Sequence, residues 1–337
     1  MLTIFDDRTI TPRRKKIRMS SSPLMIRTIA LVILLIPFSY SGSHAQQKSR
    51  AATRPGNIEE RLRKLSELFT ISEKNDDLEG LLKHYSENAI CMAEYQPTLQ
   101  GIKEISNFYE EILQRQNIKT LHRKRDEIIR LGKTFIEIGT FKKEYTDSKA
   151  GDSLLTQNGK YWHIWEEQSN GRLQLKGEAF GFFHPIKNPE ALTVNLKKHQ
   201  DEADLPLDKE TPFELEAYSA LMEKAVKNRD GIIRSAFFTN DARVMPFADS
   251  TRTGIDNIKP YLIAYNSGDV TIDSIKVYTY HSESFQDYIL EYTKFRVKWR
   301  VPQSSGRTEG KGIRIWKRQA DNSLKMYREI GTHNYIP

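Results

Sequence analysis

Two glutamates, Glu178 and Glu329, occupy equivalent places in two similar stretches of the sequence and are candidates for acid or base chemistry. A single carboxylate in a site from which water is excluded can transfer a proton to or from a bound molecule. His163 is a candidate partner for Glu178. The alternative is that both glutamates are surface charges paired across strands with Lys176 and Arg328, and that His163 is a packed strand residue.

Aromatic and sulfur-containing side chains are candidates for lining a ligand pocket, because such pockets are mostly apolar. The candidate lining residues are Tyr85, Met92, Tyr109, Trp162, Trp165, Phe180, Phe238, Met245, Tyr261 and Trp316. The alternative is that the tryptophans are core or interface residues. Along one predicted strand, side-chain alternation puts Tyr161, His163 and Trp165 on one face and Lys160, Trp162 and Ile164 on the other. The sequence leaves open which face points inward.

Metal and cofactor binding have little support in the sequence. The eight histidines are scattered, and no His, Cys and Asp cluster has ligand spacing. No glycine-rich phosphate loop follows a strand. We therefore expect neither a metal nor a cofactor. The one cysteine, Cys91, lies in the apolar run 89–93 and is typical of a small buried residue.

Residues 1–45 have the pattern of a secretory signal peptide. A basic cluster is followed by the apolar run 28–40 and then by Ser43, His44 and Ala45, a small-residue cleavage site. The apolar run is shorter than the roughly 20 residues that span a bilayer. We therefore expect cleavage after Ala45, a periplasmic or secreted protein, and no stable membrane insertion afterwards. The alternative is an uncleaved anchor.

Cleavage would change the charge of the protein. The first 45 residues contain seven of the 52 basic and two of the 44 acidic residues, so the formal net charge falls from +8 to +3. Most of the positive charge is thus a property of the predicted leader. We expect no nucleic-acid partner, because the mature chain has no basic run with interleaved aromatic residues.

An internal repeat organises the remainder of the chain. The stretch 74–105 matches 227–258 without a gap at a constant offset of 153, with nine identities in 32 positions. The strand 159–165 matches 310–316 at an offset of 151. The repeat predicts a lead-in at 46–56, one domain at 57–183, a charged linker at 184–210 and a second domain at 211–337.

The apolar periodicity changes within each copy. It first follows a helical period and then a strand period, which predicts the order helix, helix, strand, helix and four strands. In the first copy the four strands are predicted at 121–131, 134–147, 154–167 and 172–183. In the second copy the third helix is predicted at 255–265. The lead-in 46–56 is polar, and we expect it to be disordered.

These blocks resemble the superfamily of nuclear transport factor 2, ketosteroid isomerase and the SnoaL-like cyclases. The resemblance is carried by 77–89 with 101–105, by their second copies, and by the Gly-Lys strands that end at Trp165 and Trp316. It implies an α+β fold of two cone-shaped domains. Each would have three N-terminal helices and a short strand packed in a strongly curved antiparallel sheet, with a pocket at its open end. It also implies pairing through the outer sheet surface, inside the chain or in a homo-oligomer.

The resemblance does not extend to steroid-isomerase chemistry. In that family a tyrosine lies eight residues before the position of Asp77, and the catalytic base lies sixteen residues after it. Those positions are Phe69 and Ala93 in the first copy, and Met222 and Pro246 in the second. We therefore expect a non-catalytic protein that binds a small apolar or aromatic ligand. The alternatives are a lyase or isomerase of the cyclase or dehydratase type with a pocket carboxylate, and an interaction module.

Overall fold

A computed structural model describes residues 55–149, 151–194 and 211–336. The chain from Thr53 onward forms one compact unit. The predicted signal peptide, its cleavage site and the second part of the linker lie outside the described residues. In the part of the chain that is described, no helix is long and apolar enough to cross a bilayer.

The first domain begins with helix α1, which starts at Pro55, inside the segment 46–56 that the sequence assigned to the lead-in. Proline suits the first turn of a helix, because the main-chain N–H that it lacks has no intrahelical partner there. Helix α2 is capped by Asp77, whose side chain accepts a hydrogen bond from the Gly80 nitrogen at 2.8 Å. The elements are α1 Pro55–Lys74, α2 Leu78–Leu82, β1 Tyr85–Ala93, β2 Leu99–Gln100, α3 Gly101–Arg115, β3 Gln116–Leu131, β4 Thr134–Asp147, β5 Gly151–Glu167 and β6 Leu173–Phe182.

The second domain repeats this order in detail. Asp230 caps its second helix by accepting from the Ile233 nitrogen, and the residue before each cap, Asp76 or Arg229, has a positive φ of 56° or 55°. The elements are α4 Phe213–Lys227, α5 Gly231–Ala236, β7 Phe238–Met245, β8 Arg252–Thr253, α6 Ile255–Tyr265, β9 Thr271–Ser284, β10 Tyr288–Val301, β11 Ser304–Arg318 and β12 Leu324–His333.

Each domain contains one six-stranded sheet, in the orders β2-β1-β6-β5-β4-β3 and β8-β7-β12-β11-β10-β9. The last four strands of each domain, β3 to β6 and β9 to β12, form an antiparallel meander. In contrast, β1 pairs with β6, and β7 with β12, in parallel. The sheets are therefore mixed, whereas a wholly antiparallel sheet was expected. The reason is that β2 and α3 lie between β1 and the meander, so the fourth meander strand returns in the direction of β1. The predicted α+β class with two such domains is confirmed.

The two faces of the first sheet have different partners. Trp165 packs with α1, α2 and α3 in the core of the first domain, so its face is the inner one. Trp162 and Ile164, on the opposite face, pack with residues of the second sheet such as Leu290 and Ile313. The sheets thus lie back to back, and both faces of each are buried.

The first part of the predicted linker packs on the first domain. Residues Pro189–Leu192 form a short 3₁₀ helix. The Gln96 side chain donates to the Leu192 carbonyl at 2.6 Å and accepts from the Val194 nitrogen at 3.1 Å. This segment therefore forms part of the wall around the domain's interior.

Candidate functional site

The first domain contains a cavity of about 50 Å³ between α3, the inner face of its sheet and the 3₁₀ helix. A water molecule needs roughly 10–15 Å³ of such space, and typical ligand pockets start at about 300 Å³. The cavity thus takes only a small group unless its walls move. The apolar lining is Phe108, Ile112, Leu121, Phe141, Phe180, Phe182 and Leu192. The polar lining is Glu73, Glu94, Gln96, Tyr109, Gln116, Arg123, Lys143, Gln157, Tyr161 and Glu178.

Glu178 is buried in this lining, with 1% of its surface exposed. Its Oε2 atom accepts hydrogen bonds from the hydroxyl of Tyr85 at 2.5 Å and from that of Tyr109 at 3.0 Å. The Cys91 thiol, on the neighbouring strand β1, is the third donor at 3.5 Å. Three donors on one oxygen hold the carboxylate in a fixed position.

His163 lies beside Glu178 on strand β5. Its Nε2 atom is 3.3 Å from Glu178 Oε1, an ion-pair distance without hydrogen-bond alignment. Its ring packs against those of Phe69 and Tyr161, with centroid distances of 5.0 and 4.6 Å. Burial acts to raise the pKa of Glu178, but His163, the Tyr85 hydroxyl and the charge of Arg123 together hold it below its usual value. Glu178 is therefore ionised at neutral pH.

A second buried carboxylate, Glu137, completes a row across three strands. In the strand register, Glu137 is opposite His163, and His163 is opposite Glu178. Glu137 accepts from the Tyr161 hydroxyl at 2.8 Å and from Ser66 Oγ at 2.6 Å. Sequence reasoning missed this residue, although its position in the strand that pairs with His163 was the available signal.

Glu94 adds a third carboxyl group, and it also lines the cavity. It follows Ala93 directly, has 2% of its surface exposed, and accepts from the Phe182 nitrogen through Oε2 at 3.1 Å. A Cβ atom on Gly181 would lie 2.2 Å from that oxygen, so glycine leaves room for the carboxyl group. Its Oε1 atom has no hydrogen-bond partner among the described residues.

Burial raises the pKa of Glu94 to about 8, although the charges of Lys160 and Lys311 act to lower it. Glu94 is therefore protonated at neutral pH and can donate a hydrogen bond. The same cavity thus contains an ionised carboxylate, Glu178, and a neutral carboxylic acid. Sequence reasoning did not select Glu94, because one residue earlier, at Ala93, the family's base position is apolar.

Cationic groups form another part of the lining. Arg123 binds Glu73, donates to Thr70 Oγ1 at 3.0 Å and packs over the Phe69 ring at 5.1 Å. Lys143 Nζ lies 4.0 Å from Glu73 Oε1, and burial lowers the pKa of this lysine. These groups make the lining strongly polar, where the sequence indicated an apolar pocket.

The second domain does not repeat the arrangement around Glu178. The positions of Tyr85, Tyr109 and His163 are taken there by Phe238, Leu262 and Arg314. Arg314 Nε lies 2.8 Å from Glu329 Oε1, and the Glu329 side chain is 20% exposed. Arg314 also contacts Met222 Sδ at 3.5 Å. Glu329 is thus an ion-paired carboxylate, and its partner is Arg314, whereas the alternative interpretation of the sequence named Arg328, which pairs with Glu127.

The structure divides the candidate pocket residues among four places. Two of them, Tyr109 and Phe180, line the cavity. Tyr85 and Trp165 lie in the core of the first domain. Met92, Trp162 and Met245 lie between the two sheets, and Phe238, Tyr261 and Trp316 lie in the core of the second domain. Among the described residues, no group of three or more His, Cys, Asp or Glu side chains could hold a metal ion.

Comparison with known proteins finds no matching family model and no matching curated protein. Among solved structures, the chain is similar to a ketosteroid isomerase-like protein from Erwinia carotovora atroseptica, at 11% identity and a TM-score of 0.35, over 37% of this chain and 96% of that one. It is also similar to a nuclear transport factor 2 (NTF2-like) superfamily protein from Salmonella enterica serovar Typhimurium, at 14% identity and a TM-score of 0.34, over 39% and 94%.

A third similar structure is an NTF2-like protein of unknown function from Shewanella oneidensis, at 14% identity and a TM-score of 0.30, over 36% of this chain and 98% of that one. The two six-stranded sheets and their matching element orders fit a tandem arrangement. Each half of the chain thus forms one α+β unit with the same element order. The first unit contains the cavity, and the second contains the Arg314–Glu329 ion pair at the equivalent place.

Proposed function

We propose that the first unit binds a small molecule in its cavity, and that the second unit supports it. The observation that carries the proposal is the unpartnered Glu94 Oε1 atom in a cavity that also contains Glu178. A buried polar atom without a hydrogen bond costs on the order of 1–3 kcal/mol. A ligand that accepts a hydrogen bond from Glu94 removes that cost.

The lining determines the class of ligand. Phe108, Phe141 and Phe180 favour a flat, partly apolar body. Protonated Glu94 would donate to a carbonyl or similar acceptor. The Tyr109 hydroxyl donates to Glu178, so it is left to accept from an O–H or N–H group. We therefore expect a small, flat molecule with both an acceptor and a donor.

The site is expected once per chain. The equivalents of Tyr85 and Tyr109 in the second unit lack hydroxyl groups. The guanidinium group of Arg314 occupies the place that corresponds to His163 and pairs with Glu329. A bound molecule should therefore be found at one copy per chain.

Native mass spectrometry of the protein purified without denaturation tests this proposal. We expect one small adduct on the wild-type chain and its loss in Phe180→Trp, because the larger ring fills the cavity. Tyr261→Trp, which enlarges a partly buried aromatic residue in the core of the second unit, is the matched control and should keep the adduct. An adduct retained by Phe180→Trp, or its absence from wild type, contradicts the proposal.

A second candidate function is proton transfer by a lyase- or isomerase-type enzyme. The observation that favours it is the opposite pKa shift of Glu94 and Glu178 in one cavity, since such a pair supplies an acid and a base. The test is to incubate the protein with the compound released from it and to follow that compound by mass spectrometry and NMR. An enzyme converts it, and Glu94→Gln binds it without converting it. A compound that wild type binds unchanged excludes this candidate.

Export is a separate proposal, which rests on residues 1–45. The expected mature N-terminus is Gln46, and Edman sequencing of protein recovered from the periplasm or the medium tests it. The same native spectra report the solution mass, which distinguishes pairing inside one chain from a homo-oligomer.

A further inference from the structure

A groove of about 420 Å³ lies between the two units, separate from the cavity of the first. Residues of β1, β5 and β6 line it from the first unit, and residues of β9 and β10 line it from the second. Its volume is within the range of small-molecule sites, about 300–1,000 Å³, and domain interfaces are a common place for such sites. We propose that this groove binds a guanidinium group.

The internal repeat provides a comparison for the groove. Ile90 pairs with Gly177 in the first sheet, and the equivalent pair in the second sheet is Arg243 with Arg328. At that equivalent place Arg328 donates to both oxygens of the Glu127 carboxylate, at 2.7 and 2.9 Å. Arg243 donates to Asp126 at 2.8 Å. In the second sheet, guanidinium groups of the chain itself thus occupy the place that corresponds to the groove.

In the open groove, both arginines are replaced by residues without a charge. Gly177 has no side chain, and a Cβ atom there would lie 2.6 Å from the Tyr292 hydroxyl. Tyr292 is 1% exposed and lines the groove, and its hydroxyl has no hydrogen-bond partner within the described part of the chain. The glycine therefore makes room for the Tyr292 side chain, which lines the groove.

The charges around the groove favour a cation. Lys176 Nζ donates to Glu283 at 2.5 Å, to Glu166 at 3.1 Å and to Thr134 at 3.0 Å, so its three protons are used. With Glu87, three carboxylates line the groove against this one lysine and a histidine. The excess negative charge attracts a cationic ligand.

A guanidinium group fits these partners better than an ammonium ion. Its planar fork donates in parallel to the two oxygens of a carboxylate, as Arg328 does to Glu127. Glu283 is the acceptor we assign in the groove, because its side chain is 25% exposed and it lies on the strand equivalent to that of Glu127. The Tyr292 hydroxyl would accept a further N–H group. The guanidinium group can come from a free guanidino compound or from an arginine of another polypeptide.

Isothermal titration calorimetry of the full chain tests the proposal with four probes. These are L-arginine, methylguanidine, Nα-acetyl-arginine amide as a model for an arginine in a polypeptide, and methylurea as the neutral analogue. We expect saturable binding of at least one guanidinium probe at one site per chain, and none of methylurea. Tighter binding of the acetylated amide than of free arginine indicates a polypeptide as the source, and the reverse order indicates a free compound.

Two variants locate the binding. Glu283→Gln should weaken it about tenfold or more, the effect of losing a hydrogen bond between charged groups. Tyr292→Phe, which removes one hydroxyl, should weaken it severalfold. The controls are Glu79→Gln on α2 and Tyr278→Phe on β9, which should bind as wild type does, with folding checked by circular dichroism. No saturable binding, equal binding of methylurea, or wild-type affinity in both groove variants overturns the proposal.

Discussion

Lys160 and Lys311 make the same contact in opposite directions across the two halves of the chain. Lys160 Nζ donates to the main-chain carbonyl of Asp249 at 2.9 Å, and Lys311 Nζ donates to that of Gln96. Gln96 and Asp249 are equivalent in the repeat, as the two lysines are. The lysines are 0% and 1% exposed. Each half thus holds a loop of the other, as in the self-complementary interface of a symmetric dimer.

Replacing either lysine with methionine should destabilise the protein. Lys160→Met and Lys311→Met keep the apolar stem but leave buried carbonyl oxygens without a charged donor, so each should lower the free energy of unfolding by about 1–3 kcal/mol. Urea denaturation measures the change. Lys124→Met, at a side chain that is 83% exposed, is the control and should stay within about 0.5 kcal/mol. Equal values for Lys160→Met and the control would show that the contact contributes nothing.

Removing the hydroxyl donors of Glu178 should change stability in acid. The pKa of Glu178 is lowered in the folded chain, so its contribution to stability is present above the ordinary value of 4.5 and is lost as the pH falls below it. Tyr85→Phe with Tyr109→Phe removes two donors and moves this pKa upward. The double variant should lose about 1–3 kcal/mol at neutral pH and show a shallower decrease in acid.

Urea titrations at pH 7 and below 4.5 measure both effects. Tyr278→Phe, at a partly exposed tyrosine on β9, is the matched control and should keep the wild-type profile. A double variant with the wild-type decrease in acid would show that the tyrosines do not stabilise the ionised carboxylate.

Glu94 should have the opposite effect on the pH profile. Its pKa is about 8 in the folded chain against 4.5 ordinarily, so the unfolded chain loses this proton first as the pH rises. The raised pKa of Glu94 therefore costs no stability below pH 4.5. The cost increases between pH 4.5 and about pH 8 and stays constant at higher pH. Glu94→Gln removes the titration, so it should gain stability relative to wild type as the pH rises through this window.

Unfolding free energies near pH 4.5 and near pH 8 measure the difference. Glu110→Gln, at an exposed position of α3, is the control and should run parallel to wild type. If the Glu94→Gln profile is also parallel, the carboxyl group is ionised in the folded chain.

A glycine between two helices of the second domain gives a prediction about packing. A Cβ atom on Gly231 would lie 2.5 Å from the Leu262 carbonyl oxygen and 2.6 Å from the Ile263 Cα atom, so α5 would have to move away from α6. Gly231→Ala should cost about 1–3 kcal/mol in thermal or urea unfolding. Gly331→Ala is the control, because nothing lies within 4 Å of the added Cβ, and it should stay within about 0.5 kcal/mol. Similar values for the two variants would contradict the close contact.

Much of the fold could be predicted from the sequence, because the repeat at a constant offset requires two similar domains. The predicted helix 255–265 and strand 134–147 have the observed bounds. Strands were less well predicted where they extend into polar sequence. The first residues of β3, 116–120, include only one apolar side chain, Ile118, so the pattern did not mark them.

The candidate site was less accessible to sequence reasoning. The inner face of a sheet can usually be identified in the sequence, because apolar residues on that face alternate with polar residues on the outer face. Here the second sheet buries the outer face of the first as well, so this alternation is lost. Trp162 and Trp165, on opposite faces, therefore look alike in the sequence although only Trp165 faces the helices. Glu94 and Glu137 were missed for a related reason, since their burial depends on contacts with Phe182, Ser66 and Tyr161 that are far away in the sequence.

The packing of the two sheets inside one chain has a consequence for how the halves can diverge. In a dimer of identical subunits, one gene specifies both surfaces, and every substitution appears twice. Here Gly177 and Arg328 occupy equivalent places, and a substitution at either position changes only one half. The chain thus behaves as a heterodimer with a fixed one-to-one ratio that dilution cannot separate. One half can carry a hydrogen-bonded carboxylate in a cavity while the other keeps an arginine ion pair at the same place.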